Sequence, residues 1–182
     1  MEVKKITFKK ATKADKDLIT GWLKKSHVKE HWDNPEELLE DFETFLKGKK
    51  LRHEYWICSY DKQPFALLLT IDASEPEPGQ RQTSDVFIPW LELEGMTLLI
   101  DFAICEKSFL KKGLSSETIK KFSQTVDPHV SALLADPEVK DERAVHVYEK
   151  AGFVKVATFI RGEGFFKGQP HYLMKLKIMN LS

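Results

Sequence analysis

Apolar and polar residues alternate weakly from Val3 to Phe8, which predicts a first strand. Thr12 with Asp15 has the spacing of a capping box, and Leu18, Ile19, Trp22 and Leu23 then recur at helical spacing. Asn34-Pro35 offers a second cap with a first-turn proline, ahead of the stripe Leu38, Leu39, Phe42, Phe45 and Leu46. Tyr55–Tyr60 and Phe65–Ile71 read as two strands joined through Asp61-Lys62-Gln63-Pro64, a hairpin signal. Residues 72–94 are rich in Glu, Pro, Ser and Gln and read as a long loop, which inside a compact domain is usually functional or mobile. Met96–Cys105 is a strongly apolar strand, Gly113 to about Gln124 a helix, and His129–Ala135 a further strand that stops at Asp136-Pro137. A short helix follows with Ala144, Val145, Tyr148 and Ala151 on one face, and Gly152 is placed to end it in the left-handed conformation. Val154–Ile160 and His171–Ile178 are the last two strands, with Gly162, Gly164, Gly168 and Pro170 punctuating the turn between them. The order β, α, α, β, β, β, α, β, α, β, β predicts an α/β or α+β sandwich around one central sheet.

Composition narrows this only slightly. The 182 residues fit one domain spanning 1–182, long enough for a substantial core. Hydrophobic content of 42% and charged content of 31% are those of an ordinary soluble protein. Lys+Arg and Asp+Glu are 28 each, so the net charge is zero, which argues against a nucleic-acid or membrane partner held by bulk charge. Cys58 and Cys105 lie inside apolar runs and read as buried thiols, so a reducing cytoplasm is the simplest compartment. No apolar run approaches a membrane span, and MEVKKITFKK lacks the apolar core of a secretory signal.

One carboxylate stands out. Asp101 lies within Leu98-Leu99-Ile100-Asp101-Phe102-Ala103-Ile104, where a charge carries a desolvation cost unless it is paired or faces a cleft. It is either an ion-paired structural aspartate or a functional one. Tyr148 likewise reads either as a core tyrosine or as an acid.

The segment Asp136–Phe153, DPEVKDERAVHVYEKAGF, decides between these. It resembles the last conserved motif of the GCN5-related N-acetyltransferases (GNAT), Asn-x-x-Ala-x-x-x-Tyr-x-Lys-x-Gly-Phe. Ala144, Tyr148, Lys150, Gly152 and Phe153 match in register, and Asp141 stands for the Asn. In that family the segment holds coenzyme A and its Tyr serves the thiol, so Asp136, Asp141, Ala144 and Tyr148 are expected to meet the cofactor. The stretch Leu110-Lys111-Lys112-Gly113-Leu114-Ser115 is similar to the family's Arg/Gln-x-x-Gly-x-Gly/Ala loop, whose N–H groups at a helix start bind pyrophosphate. Gly113 matches, Leu110 and Ser115 replace the first polar and last small residues, and Lys111 stands where many relatives have Gly. Trp22, Leu23, Ser26, His27 and Trp32 resemble the Trp-Leu-x-x-Ser-His-x-x-x-x-Trp stretch of aminoglycoside 6'-N-acetyltransferases, and Ile100-Asp101 resembles the pair that supplies their acid. A related Trp-x-x-x-x-His-Val form occurs in siderophore-pathway acyltransferases.

The resemblance implies the GNAT fold, with helices on both faces of a mixed sheet that splays between the strand of Asp101 and the one ending at Asp136. Acetyl-CoA would enter the splay along Phe102, Ala103 and Ile104. Asp101, its pKa raised by apolar neighbours, would take the amine proton, a strand N–H would meet the oxyanion, and Tyr148 would protonate the thiolate. His27, Trp32 and Asp101 would meet the acceptor. Within residues 72–94, Asp72, Glu75, Glu77, Asp85, Glu92 and Glu94 face Arg81 as the only base. They read either as a solvated loop or as an acidic rim for a polycationic amine, with Trp90 available to stack on a sugar. His27 and His31 have the spacing of paired ligands, but with no third ligand near, no metal is expected. The expected protein is a monomer or homodimer acting on a small amine. Two other readings stay open: a siderophore or small-metabolite acyltransferase, and a non-catalytic binding protein of the same fold.

Overall fold

The computed structural model describes residues 5–30, 35–47, 53–75, 86–162 and 166–178. Its strands are β1 (Ile6–Lys10), β2 (His53–Tyr60), β3 (Gln63–Asp72), β4 (Met96–Ile104), β5 (Val130–Ala135), β6 (Val154–Ile160) and β7 (Pro170–Lys177). Its helices are α1 (Lys16–Leu23), α2 (Ser26–Lys29), α3 (Pro35–Leu46), α4 (Leu114–Ser123) and α5 (Glu142–Ala151). The strands form one seven-stranded sheet in the order β1-β2-β3-β4-β5-β7-β6. Only β4 and β5 run parallel; the other neighbours are antiparallel. The mixed α/β sheet expected from the residue pattern is therefore present. Asn34, the expected cap of α3, lies outside the described residues, as does Gly164.

Local chemistry explains the element ends. Thr12 N–H and Oγ1 both donate to the Asp15 carboxylate, at 2.9 and 2.8 Å, so the expected box opens a short 3-10 turn that leads into α1. The hairpin turn between β2 and β3 places Asp61 and Lys62 at φ 50° and 66°, the handedness that matches strand twist. Gly152 adopts φ 106°, and the Phe153 N–H returns to the Tyr148 carbonyl at 3.0 Å, closing α5.

Strand alternation sorts the core into two layers. Ala66, Leu68, Leu98 and Ile100 join Ile119 and Phe122 of α4 and Val145, Tyr148 and Ala151 of α5 on one face. Leu67 and Leu69 join Ile19, Trp22 and Leu23 of α1 and Phe42 of α3 on the other. Cys58 and Cys105 are free and fully buried, and burial pushes the Cys105 thiol up to about 12.

Candidate active site

The central feature is where pairing stops. β4 is matched to β3 along its whole inner length, Leu98 opposite Asp72 through Ile104 opposite Ala66. With β5 the match runs through Thr97–Ala132, Leu98–Leu133 and Leu99–Leu134 and then ends. At its other edge β5 is paired with β7 from Ala132 to Ala135. The Ala135–Met174 pair, a Tyr172 N–H bond to the Pro137 carbonyl (3.0 Å) and a Val139 N–H bond to the Pro170 carbonyl (2.9 Å) carry residues 135–139 away from β4. The result is a gap beside Ile100–Ile104, the splay expected at this seam.

Which backbone groups face the gap follows from the ladder. Cys105 N–H donates to the Phe65 carbonyl and Ala73 N–H to the Thr97 carbonyl, so the odd residues of β4 bond toward β3. Phe102 and Ile104 accordingly turn their N–H and C=O groups toward the gap. Ala103, expected with them, directs its backbone to β3 and its side chain into the α1–α3 layer. Asp101 sits opposite Leu69, two residues past the last β4–β5 pair, and is partly exposed.

In α5, Tyr148 is buried, with its ring edge-on to Phe153 at 5.3 Å. Burial holds its phenol well above the usual range, and the nearby charges of Asp101, Asp136 and Asp141 add to this. The hydroxyl therefore stays protonated at neutral pH. Asp141 caps α5, its Oδ1 accepting from Ala144 N–H at 3.0 Å, so the Asp keeps the capping function that an Asn would have. The Asp136 carboxylate accepts from Arg161 Nη1 at 2.9 Å, and its carbonyl accepts from His171 Nδ1 at 2.6 Å.

After β4 a 3-10 turn, Lys107–Phe109, leads to Leu110 and the start of α4. Lys111 takes φ 58° and Gly113 φ 71°; the glycine is needed for its angle, since an added Cβ would meet nothing within 4 Å. Lys111, Lys112 and Gly113 are exposed, Leu114 is buried, and Ser115 is half-buried; the first N–H groups of α4 have no carbonyl of their own helix to bond. The Lys112 ammonium lies 5.4 Å from the centre of the Phe109 ring. An anionic pyrophosphate fits this helix start on charge and on donor supply.

The remaining expected residues are scattered. Trp32, Asp85, His31, Glu77 and Arg81 lie outside the described residues. Neither ring nitrogen of His27 has a hydrogen-bond partner among the described residues, and the ring lines a cavity of about 330 Å³ with Lys25, Ser26, Glu106 and Lys107. Asp72 ends β3 and accepts from Ser74 N–H and Oγ, at 2.9 and 2.6 Å. With Glu92 it lines a second cavity, about 340 Å³, at the start of β4 and away from Phe102–Ile104. Trp90 packs beside Leu99 and Leu134 instead of standing clear of the loop. Glu94 is exposed, but Glu92 is bound by Lys175 at 2.7 Å and approached by Lys177 at 3.6 Å. The Lys175 hydrogen bond holds the Glu92 carboxyl below its usual range. Glu92 thus meets bases from β7, which proximity in sequence did not reveal. Glu106 was equally illegible: it accepts from Trp22 Nε1 at 2.7 Å and from Lys25 Nζ at 2.8 Å, tying α1 to the exit of β4. Among the described residues no three His, Cys, Asp or Glu gather as a metal site, and no helix is long and apolar enough to cross a membrane.

Comparison with known proteins fits this geometry. A solved aminoglycoside N(6')-acetyltransferase from Legionella pneumophila superposes with TM-score 0.76 at 30% identity, over 98% of this chain and 94% of that one. The aminoglycoside acetyltransferase AAC(6')-Ib, solved with coenzyme A and kanamycin, shares the fold at TM-score 0.73 and 22% identity, over 94% of both chains. The aminoglycoside N(6')-acetyltransferase type 1 of Klebsiella pneumoniae is 24% identical, over 87% of this chain and 79% of its own. The family model described as an acetyltransferase (GNAT) domain matches residues 11–160. The chain therefore belongs to the GNAT acetyltransferase family.

Proposed function

We propose that the protein transfers an acetyl group from acetyl-CoA to a primary amine of an aminoglycoside, at the 6' position as its relatives' names state. The observation that carries the reading is the gap itself: β4 leaves β5 two residues before Asp101, whose charge acts on the protonated Tyr148 phenol. Acetyl-CoA supplies an activated thioester. Phe102 and Ile104 offer backbone groups at the gap for the amides of its arm and for the oxyanion that forms at the carbonyl. The N–H groups at the start of α4 suit its pyrophosphate.

An amine in water at neutral pH is an ammonium. Asp101 holds it and takes its proton, directly or through a water, which frees the lone pair for attack. Tyr148 then donates to the sulfur as the C–S bond breaks. A phenol kept above its usual range is a reliable hydrogen-bond donor at any working pH. No acyl-enzyme is required, and the raised thiol pKa of both buried cysteines makes them poor nucleophiles.

The test is thiol release from acetyl-CoA with a panel of aminoglycosides beside hydroxylamines and simple amines. Release with aminoglycosides above the others supports the reading. Release only with hydroxylamines would replace it by the siderophore-type activity.

A further inference from the structure

Each lip of the gap carries a carboxylate just beyond the last β4–β5 pair, Leu99–Leu134. Thr97–Ala132, Leu98–Leu133 and Leu99–Leu134 keep one offset, and Asp101 and Asp136 each follow the last of these pairs by two residues. Register partners in parallel strands present their side chains to the same face. Leu99 and Leu134 share one apolar cluster, as this requires. Two carboxylates thus follow the last pair by the same number of residues, one on each lip of the gap, and both charges act on the Tyr148 phenol.

The two lips differ in one respect. Asp136 is nearly buried, its side chain 9% exposed, and it already holds a cation of this chain, Arg161, which comes from the end of β6. The main chain of Asp136 is fixed separately. A carbonyl can only accept, so His171 carries its proton on Nδ1 and donates it there, from a ring that is almost fully buried. The Arg161 backbone is tied too, its N–H bonding the Gln169 carbonyl at 3.0 Å and its carbonyl accepting from Gly168 N–H at 2.8 Å.

We infer that Arg161 is a specificity-determining residue: an internal counter-ion that occupies the second acid of the gap and limits how many ammonium groups an acceptor can present there. The inference rests on the acetyl-transfer reading. A carboxylate this buried is stable only when paired. With Arg161 in place, a second ammonium of the acceptor gains nothing from Asp136 and meets a like charge. Without it, that ammonium becomes the missing partner. His171 keeps the main chain of Asp136 where it is, so the site survives the exchange.

The experiment compares methyl 6-amino-6-deoxyglucoside with the same sugar bearing a second amine at carbon 2, and butylamine with 1,4-diaminobutane. For each pair the ratio of kcat/KM, diamine over monoamine, is measured for wild type, Arg161→Lys, Arg161→Gln and Asp136→Asn. Arg161→Gln should raise the ratio about tenfold and make it fall with added salt, whereas Arg161→Lys stays near wild type. Asp136→Asn, which leaves the guanidinium without its acid, should lower the ratio. Loss of structure alone would depress both members of a pair together and leave the ratio unmoved. An unmoved ratio in Arg161→Gln overturns the inference. Should Arg161→Gln not fold, an unmoved or raised ratio in Asp136→Asn overturns it. If wild type acetylates neither member of either pair and no aminoglycoside, it is the acetyl-transfer reading that fails.

Discussion

Along one edge β4 is paired with β3 to its end, while along the other it is paired with β5 only as far as Leu99. The same nine residues therefore serve two purposes. At the closed edge every backbone group finds a ladder partner, and the side chains of β3 that back it (Ala66, Leu67, Leu68) are completely buried. At the open edge, backbone groups that a complete sheet would consume stay available to a ligand, beside a carboxylate. The contrast shows how a sheet makes a binding slot without a loop. A third strand, β7, takes over one wall, and the ladder left open supplies donors and acceptors already held in place.

The comparison is broken most severely at the closed edge. Leu68→Ala should remove about 2–5 kcal/mol of stability, because a completely buried side chain leaves a cavity in the core that the sheet shares with α4 and α5. Denaturant unfolding measures it. The rate per folded molecule at temperatures where the variant stays folded should hardly change. A loss under 1 kcal/mol would mean that the closed edge is not the rigid half.

At the open edge the loss should fall on chemistry. Asp101→Asn keeps shape and hydrogen bonding but cannot take a proton, so turnover should drop by about a hundredfold or more, with melting and coenzyme A affinity little changed. Turnover within a few-fold of wild type would remove Asp101 from the mechanism. Tyr148→Phe keeps the ring against Phe153 and deletes only the hydroxyl. A drop on the order of tenfold, with unchanged cofactor binding, is expected. An unaltered rate would make Tyr148 a packing residue.

The closed edge was the more legible half. Apolar runs bounded by turn residues located the strands of the sheet, because a strand covered on both faces, such as β3, reads as an unbroken apolar stretch. Helix ends were legible where a residue has a special backbone duty, as at Gly152 and Gly113. The open edge was harder to read. Asp101 stood out as a charge in an apolar run, yet the gap beside it arises from β7 pairing with residues 135–139, a contact that no local pattern encodes. Partners far apart in sequence escaped for the same reason. Lys175 and Lys177 neutralise Glu92, Arg161 pairs with Asp136, and Trp22 with Lys25 binds Glu106. Glu92, counted in the acidic rim expected from residues 72–94, is thus paired within the chain.

Glu106 tests how firmly the end of β4 is anchored. Its carboxyl is held below the usual range chiefly by the Lys25 hydrogen bond, with the Trp22 indole adding to it. A depressed folded-state pKa gives stability that is present above the unfolded value, about 4.3, and is lost as pH falls through the folded one. Wild type should therefore lose more stability than Glu106→Gln between about pH 5 and pH 3, and should be the more stable of the two above that window. Thermal unfolding across this pH range measures both. Parallel curves would show that the bond contributes nothing to folding.

The smallest expected effect is at the loop that follows β4. Lys111 holds φ 58°, where a residue with a Cβ is strained by about 1 kcal/mol. Lys111→Gly relieves that strain but loosens the unfolded chain, so the net gain in stability should be under about 1 kcal/mol. Cofactor affinity is the sharper measurement. If the N–H groups at the start of α4 do the binding, removing one exposed ammonium should change the dissociation constant of coenzyme A by less than about threefold, and the change should vanish in high salt. A tenfold loss that persists in salt would instead make the Lys111 side chain part of the phosphate site. The open edge would then depend on side chains as much as on its unpaired backbone.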